Sequence, residues 1–133
     1  MAEDDDELPE LGLSTETVCW LIARARAFDA KQEGEGGGDA DEDDVEAHLL
    51  DEDADTIEEE MRDTIAGLNE DEQAALIALA WVGRGEFEIA DWPEAVRMAK
   101  ERNLRHAEDY LLGMPLLADY LEEGLAAFGL SCE

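Results

Sequence analysis

Residues 69–85 read NEDEQAALIALAWVGRG, and this stretch decides the fold. Asn69 followed three positions later by Glu72 is a capping box, which satisfies backbone donors at both residues and opens a helix. From Ala74 to Val82 the residues are apolar on every side of the helical wheel. A helix of that kind is a central, buried one. Gly83-Arg84-Gly85 ends it, with the arginine placed near the negative end of the helix dipole. No segment alternates with period two for long enough to make a strand; Glu86-Phe87-Glu88-Ile89 comes nearest and stops after four residues. An all-α single domain of about five helices is expected.

Working outward, Ser14 is an N-cap with Glu16 in the first turn, and Val18, Leu21, Ile22, Ala25 and Phe28 recur at helical spacing. A helix over 15–30 that packs back onto the core follows, since its stripe needs cover. The next stretch, KQEGEGGGDADEDD, reads as a flexible acidic linker, in which Val45, His48 and Leu49 could make one short turn. Ile57, Met61, Ile65 and Leu68 mark a second helix. Asp91-Trp92-Pro93-Glu94 repeats the capping logic and opens another, with Ala95, Val96 and Ala99 on its apolar side. A short helix through Tyr110-Leu111-Leu112 stops at Gly113, and Pro115 starts the last, striped by Leu117, Tyr120, Leu121, Leu125 and Phe128. The division expected is an acidic disordered lead at 1–13, a helix at 14–31, the linker at 32–54 and a helical core at 55–133.

The chain has 133 residues and a formal charge of −29, with 45% hydrophobic residues. One domain with one core fits that length. The acid is uneven: residues 1–68 carry 24 acids against 4 bases, and 69–133 carry 14 against 5. Charge of this sign repels phosphate backbones and anionic membranes, so direct nucleic-acid and membrane binding are not expected. Solvation, basic protein partners, loosely held cations or adaptation to salt remain. The start, MAEDDDELPEL, lacks the basic and apolar regions of a signal peptide, and the longest apolar run, Ala74–Val82, falls short of the ~20 residues that a bilayer requires. A cytoplasmic protein is expected. Cys19 and Cys132 form no CxxC pair; Cys19 reads as a small buried hydrophobe and Cys132 as an exposed thiol suited to a reducing compartment, rather than as a bridge.

Motifs with chemistry were sought against their spacing rules. Asp51-x-Asp53-x-Asp55 copies the start of an EF-hand loop, but Thr56 stands where glycine is needed and Arg62 where the bidentate glutamate is needed. Asp39-x-Asp41-x-Asp43 fails likewise, with Asp44 and Leu50 at those places. His48 and His106 lack the glutamate three residues before them that a di-iron bundle requires. Gly83-Arg84-Gly85 has neither the third glycine nor the preceding strand of a nucleotide fingerprint. No metal, cofactor or catalytic residue is assigned. Arg97, Lys100, Arg102 and Arg105 fall within nine positions, mostly explained by the i,i+4 pairs Arg97–Glu101 and Glu101–Arg105. Of the tryptophans, Trp20 lies off its helix's stripe, Trp81 belongs in the core, and Trp92 at a helix start is the best candidate for a contact anchor.

Leu68-Asn69-Glu70-Asp71-Glu72-Gln73, then Trp81-Val82-Gly83-Arg84-Gly85-Glu86-Phe87, then Trp92, then Tyr110-Leu111-Leu112-Gly113-Met114-Pro115-Leu116-Leu117-Ala118-Asp119-Tyr120-Leu121-Glu122-Glu123-Gly124 form a combination of turns and tryptophans. Over about residues 57–130 it resembles a family of small bacterial proteins catalogued as domain of unknown function 3775. The resemblance implies a compact helical domain of bacterial origin. It implies no activity, so no catalytic residue carries over.

The leading expectation for function is a non-enzymatic module that binds an unidentified protein partner around Gly83–Trp92 and Leu112–Pro115, with Arg84, Phe87, Trp92 and Met114 as candidate contacts. A spare apolar face on so small a domain would also suit a homodimer. Two other readings stand beside it: an acidic decoy that imitates nucleic acid for a basic DNA-binding protein, and a small-molecule enzyme using carboxylates such as Asp119 and Glu122.

Overall fold

The computed structural model describes residues 9–37, 54–102 and 106–132. These form six helices and no strand: α1 (Thr15–Gly37), α2 (Ala54–Ala66), α3 (Glu70–Gly83), α4 (Trp92–Glu101), α5 (Ala107–Leu112) and α6 (Leu117–Ala127), with a 3-10 turn over Ile89–Asp91 before α4. No helix among the described residues is long and apolar enough to cross a membrane.

α3 is the centre. Asn69 accepts a hydrogen bond from the Glu72 amide at 2.8 Å and the Asn69 amide donates to the Glu72 carboxylate at 3.0 Å, so the capping box is complete. All nine residues from Ala74 to Val82 are buried. The far end closes as a Schellman motif: the Glu86 amide donates to the Trp81 carbonyl and the Gly85 amide to the Val82 carbonyl, with Gly85 at φ 89. α6 ends the same way, with Gly129 at φ 76 and the Leu130 amide donating to the Leu125 carbonyl.

α3 packs chiefly on α6 and α4, and at the crossing with α6 the backbones approach closely. A Cβ added to Gly83 would stand 1.8 Å from the Tyr120 carbonyl oxygen, and one added to Gly124 would stand 2.6 Å from the Leu79 carbonyl oxygen. Leu79 and Gly83 are one turn apart on α3, as Tyr120 and Gly124 are on α6. The two helices therefore run antiparallel and meet backbone to backbone at two successive turns.

The remaining helices surround this pair. α1 buries Val18, Leu21, Ile22 and Ala25 against α2 and α6, and Ser14 accepts from the Thr17 amide at its start. α2 buries Ile57, Met61 and Ile65 between α1 and α5. Gln73 donates to the Ile65 carbonyl at 2.9 Å, fixing the corner between α2 and α3. Trp20 is off the stripe and 38% exposed, with the Arg24 guanidinium over its ring.

Several expectations are corrected. α1 continues to Gly37 rather than stopping at 30 or 31, because Lys31, Gln32 and Glu33 are good helix formers and each glycine weakens a helix by only about 1 kcal/mol. The rest of the expected linker, residues 38–53, lies outside the described residues, and with it Val45, His48, Leu49 and all of the Asp-x-Asp runs except Asp55. Residues 1–8 of the acidic lead and Arg105 also lie outside them, whereas Leu11, read as lead, is buried in the core. Asp91 makes no side-chain cap. The 3-10 turn runs straight into α4 and supplies the acceptors instead: the Trp92 amide donates to the Ile89 carbonyl. α6 starts at Leu117, two residues after Pro115, because Leu116 takes a left-handed conformation that breaks the helix.

Cys19 and Cys132, expected as separate thiols, are joined by a disulfide across a sequence separation of 113. The cause is tertiary: α1 lies along α6, which brings residue 19 to the segment leaving its C-terminus, and sequence periodicity does not carry that information.

Replacing Gly124 by alanine should destabilise the fold by about 1–3 kcal/mol, as over-packing does, although helix propensity alone would favour alanine by about 1 kcal/mol. Gly83→Ala should cost at least as much, because its Cβ would stand 1.8 Å from a backbone oxygen, against 2.6 Å at Gly124. Urea unfolding reads both; a stabilised Gly124→Ala variant would show that the crossing is looser than described.

Candidate functional site

The site is built where α5 gives way to α6. Gly113 donates to the Asp109 carbonyl and Met114 to the Leu111 carbonyl, closing α5. Pro115 then fixes its own φ and disfavours the helical region for Met114. Leu116 follows at φ 63, ψ 26, and its carbonyl accepts from the Tyr120 amide to begin α6. Leu116 is the one non-glycine residue with positive φ among the described residues, and its side chain is 57% exposed. A leucine in that conformation costs about 1–2 kcal/mol. Neither local preference nor burial repays that cost, and strain of this kind gathers at sites of function.

Beside this turn lies an open groove of about 190 Å³. One wall is α1, through Ala25, Phe28 and Asp29; the floor is Met61 of α2; the other wall is the turn itself, Leu112 to Ala118. Glu58 stands at the edge and accepts from Nε and Nη2 of Arg62, each at 3.1 Å. Arg62 also donates to Asp109 on α5, a bond that holds the Asp109 carboxyl below its usual pKa. A chain of acid, arginine and acid thus braces the groove between α2 and α5. Among the described residues, the lining has apolar side chains and two carboxylates, with no histidine, serine, cysteine or lysine. Such a surface has room for an apolar side chain.

The candidate contacts named from sequence fall in two places. Met114 is 9% exposed and forms part of the groove wall. The other three lie elsewhere and are engaged within the fold. Arg84 pairs with Glu86. Phe87 is half-buried and stacks on Trp81, ring centroids 5.8 Å apart. Trp92, expected as a contact anchor, is 4% exposed and meets Phe128 edge to face at 4.9 Å. It is corrected from a contact anchor to a core residue: the 3-10 turn ahead of α4 rotates its first residue inward onto the end of α6. Trp81 is buried and donates from Nε1 to the Tyr110 hydroxyl at 2.8 Å. Asp119 and Glu122, the carboxylates considered for catalysis, both accept from Arg26 of α1 and do not line the groove. Among the described residues, no group of three acidic, histidine or cysteine side chains could hold a metal ion.

Phe28 and Leu116 were missed as site residues. The signal for Leu116 was present: an apolar residue stands where a helix following Met114-Pro115 would be expected to carry a serine or aspartate cap.

A family model described as a protein of unknown function (DUF3775) matches residues 58–130. No curated protein and no solved structure matches the chain. The matched region contains α3 to α6 whole and most of α2, and hence the turn and floor of the groove, while the α1 wall precedes it.

Leu116→Gly should leave stability unchanged or raise it by up to about 1 kcal/mol, because glycine occupies positive φ without strain. Thermal unfolding measures this. A loss above that size would make Leu116 a packing residue and remove the argument from strain.

Proposed function

The chain belongs to the family of unknown function DUF3775, and we propose that it is a non-enzymatic protein-interaction module whose groove takes one apolar side chain from a basic segment of a partner. The observation that carries the reading is Leu116, exposed and strained on the lip of an apolar groove. Size favours a single anchor. Small-molecule sites usually enclose about 300–1,000 Å³, whereas this groove offers about 190 Å³, room for one large side chain. Interfaces commonly draw most of their affinity from a few such anchors seated in pockets. Charge supplies the second half of the partner's description. The chain carries a net charge of −29, so a partner segment with lysine or arginine next to the anchor would be attracted and steered in.

The decoy reading also invokes a basic partner, but it relies on acid spread over the surface rather than on the groove. The two separate by position. A photo-crosslinking phenylalanine analogue placed at 116 in the full-length chain, expressed in its native host, should label a discrete protein through a peptide with lysine or arginine beside an apolar residue. The same probe at exposed Glu123 should not label that peptide. Equal labelling from both positions would favour the decoy, and labelling of a second copy of this chain would favour a homodimer. No label at 116 above the Glu123 control would contradict the groove.

A further inference from the structure

We infer that the Cys19–Cys132 disulfide is a redox-sensitive clip that holds α1 in place as the wall of the groove. Cys19 sits on α1 and Cys132 lies beyond the end of α6, so the bond joins the first helix to the last segment of the chain. Both cysteines fall outside the family-matched region 58–130, as does the whole of α1. The clip and the helix that it holds thus lie outside the matched region. Cys132 is an exposed residue on a stretch with no helical structure, whereas Cys19 is half-buried on α1, so Cys132 is the side from which a thiolate would approach. Exposed disulfides are more readily reduced, and labile and regulatory bridges are drawn from them.

The exchange balances with a dithiol reductant of the thioredoxin class. One thiolate attacks the Cys132 sulfur, the S–S bond breaks, and Cys19 leaves as a thiolate that takes up a proton. The second thiol of the reductant then displaces Cys132 from the mixed disulfide, and a second proton completes the pair. The reductant ends as a disulfide and the protein as two thiols.

The consequence is local. The core stripe of α1 is Val18, Leu21, Ile22 and Ala25, and the ion pairs that tie it to its neighbours, Arg24–Glu60 and Arg26 with Asp119 and Glu122, are partly or largely exposed. α3, by contrast, is enclosed along nine consecutive residues. Undocking of α1 is therefore an opening below global unfolding, and the bond restrains it by tying α1 at Cys19 to the end of α6. Breaking the bond should raise the population of the undocked state, in which Ala25, Phe28 and Asp29 no longer close the groove.

Hydrogen exchange with mass spectrometry on the full-length protein, oxidised and then reduced with dithiothreitol, tests this without any partner. Protection of peptides from residues 15–30 should fall on the order of tenfold on reduction, while peptides from 74–82 hold their protection. Cys132→Ser, a change at an exposed position, should reproduce the reduced pattern whether or not reductant is present. Unchanged protection of 15–30 would overturn the clip, as would equal loss in 15–30 and 74–82. Because the clip concerns the groove proposed above but is read from α1 alone, its failure would leave that reading standing, and a failure to crosslink at 116 would leave the clip standing.

Discussion

The structure depends on one steric constraint: α3 and α6 touch backbone to backbone at two successive turns. Gly83 faces Tyr120 and Gly124 faces Leu79, each with no room for a methyl group. Close approach of this kind brings the alanine-rich α3 into contact with Leu121 and Leu125 of α6, both fully buried. It also positions what lies at the ends. α6 can begin only where its register against α3 permits, at Leu117, and α5 must finish at Leu112. The four residues between have to turn the chain in that short span. Leu116 takes positive φ as part of that turn, and the groove lip is where it does so.

Charge is arranged around this core with economy. The chain has nine basic residues against thirty-eight acidic ones, and several of the bases bridge different helices. Arg24 joins α1 to α2, Arg26 joins α1 to α6, Arg62 joins α2 to α5, and Lys100 joins α4 to Asp71 of α3. These pairs lie at the surface, where solvent and salt screen them, so they guide how helices sit rather than hold them down. Burial of the apolar faces does the holding. The remaining net charge opposes compaction and keeps other acidic surfaces away, which narrows the kinds of partner that the groove can admit.

Much of the fold was legible in the sequence because its signals are local. The capping box at Asn69 and Glu72, the unbroken apolar run of α3, the Ser14 cap and the stripes of α1, α2 and α6 each follow from spacing along a few turns. What was not legible depends on contacts between distant segments. Trp92 looked exposed because Asp91-Pro93 resembles a helix start, yet a 3-10 turn rotates it into Phe128. Gly124 resembles an ordinary surface position until α3 is laid against it. The pairing of Cys19 with Cys132 depends on where α1 runs. Of the candidate site, the Leu112–Pro115 turn and Met114 were named from sequence, whereas the α1 wall could not be, since no local pattern says which helix closes a groove.

The most direct test of the account is native-state hydrogen exchange resolved by residue under oxidising conditions. If the α3–α6 contact sets the structure, amides of Ala74–Val82 and Leu121–Leu125 should exchange only at the free energy of global unfolding, both sets sharing its full dependence on denaturant. The amides of Leu112, Gly113, Met114, Leu116 and Leu117, carried on the strained turn, should exchange at lower cost through local opening. Exchange of α6 well below the global limit, with α3 still protected, would contradict the claim that the two helices are held as one unit.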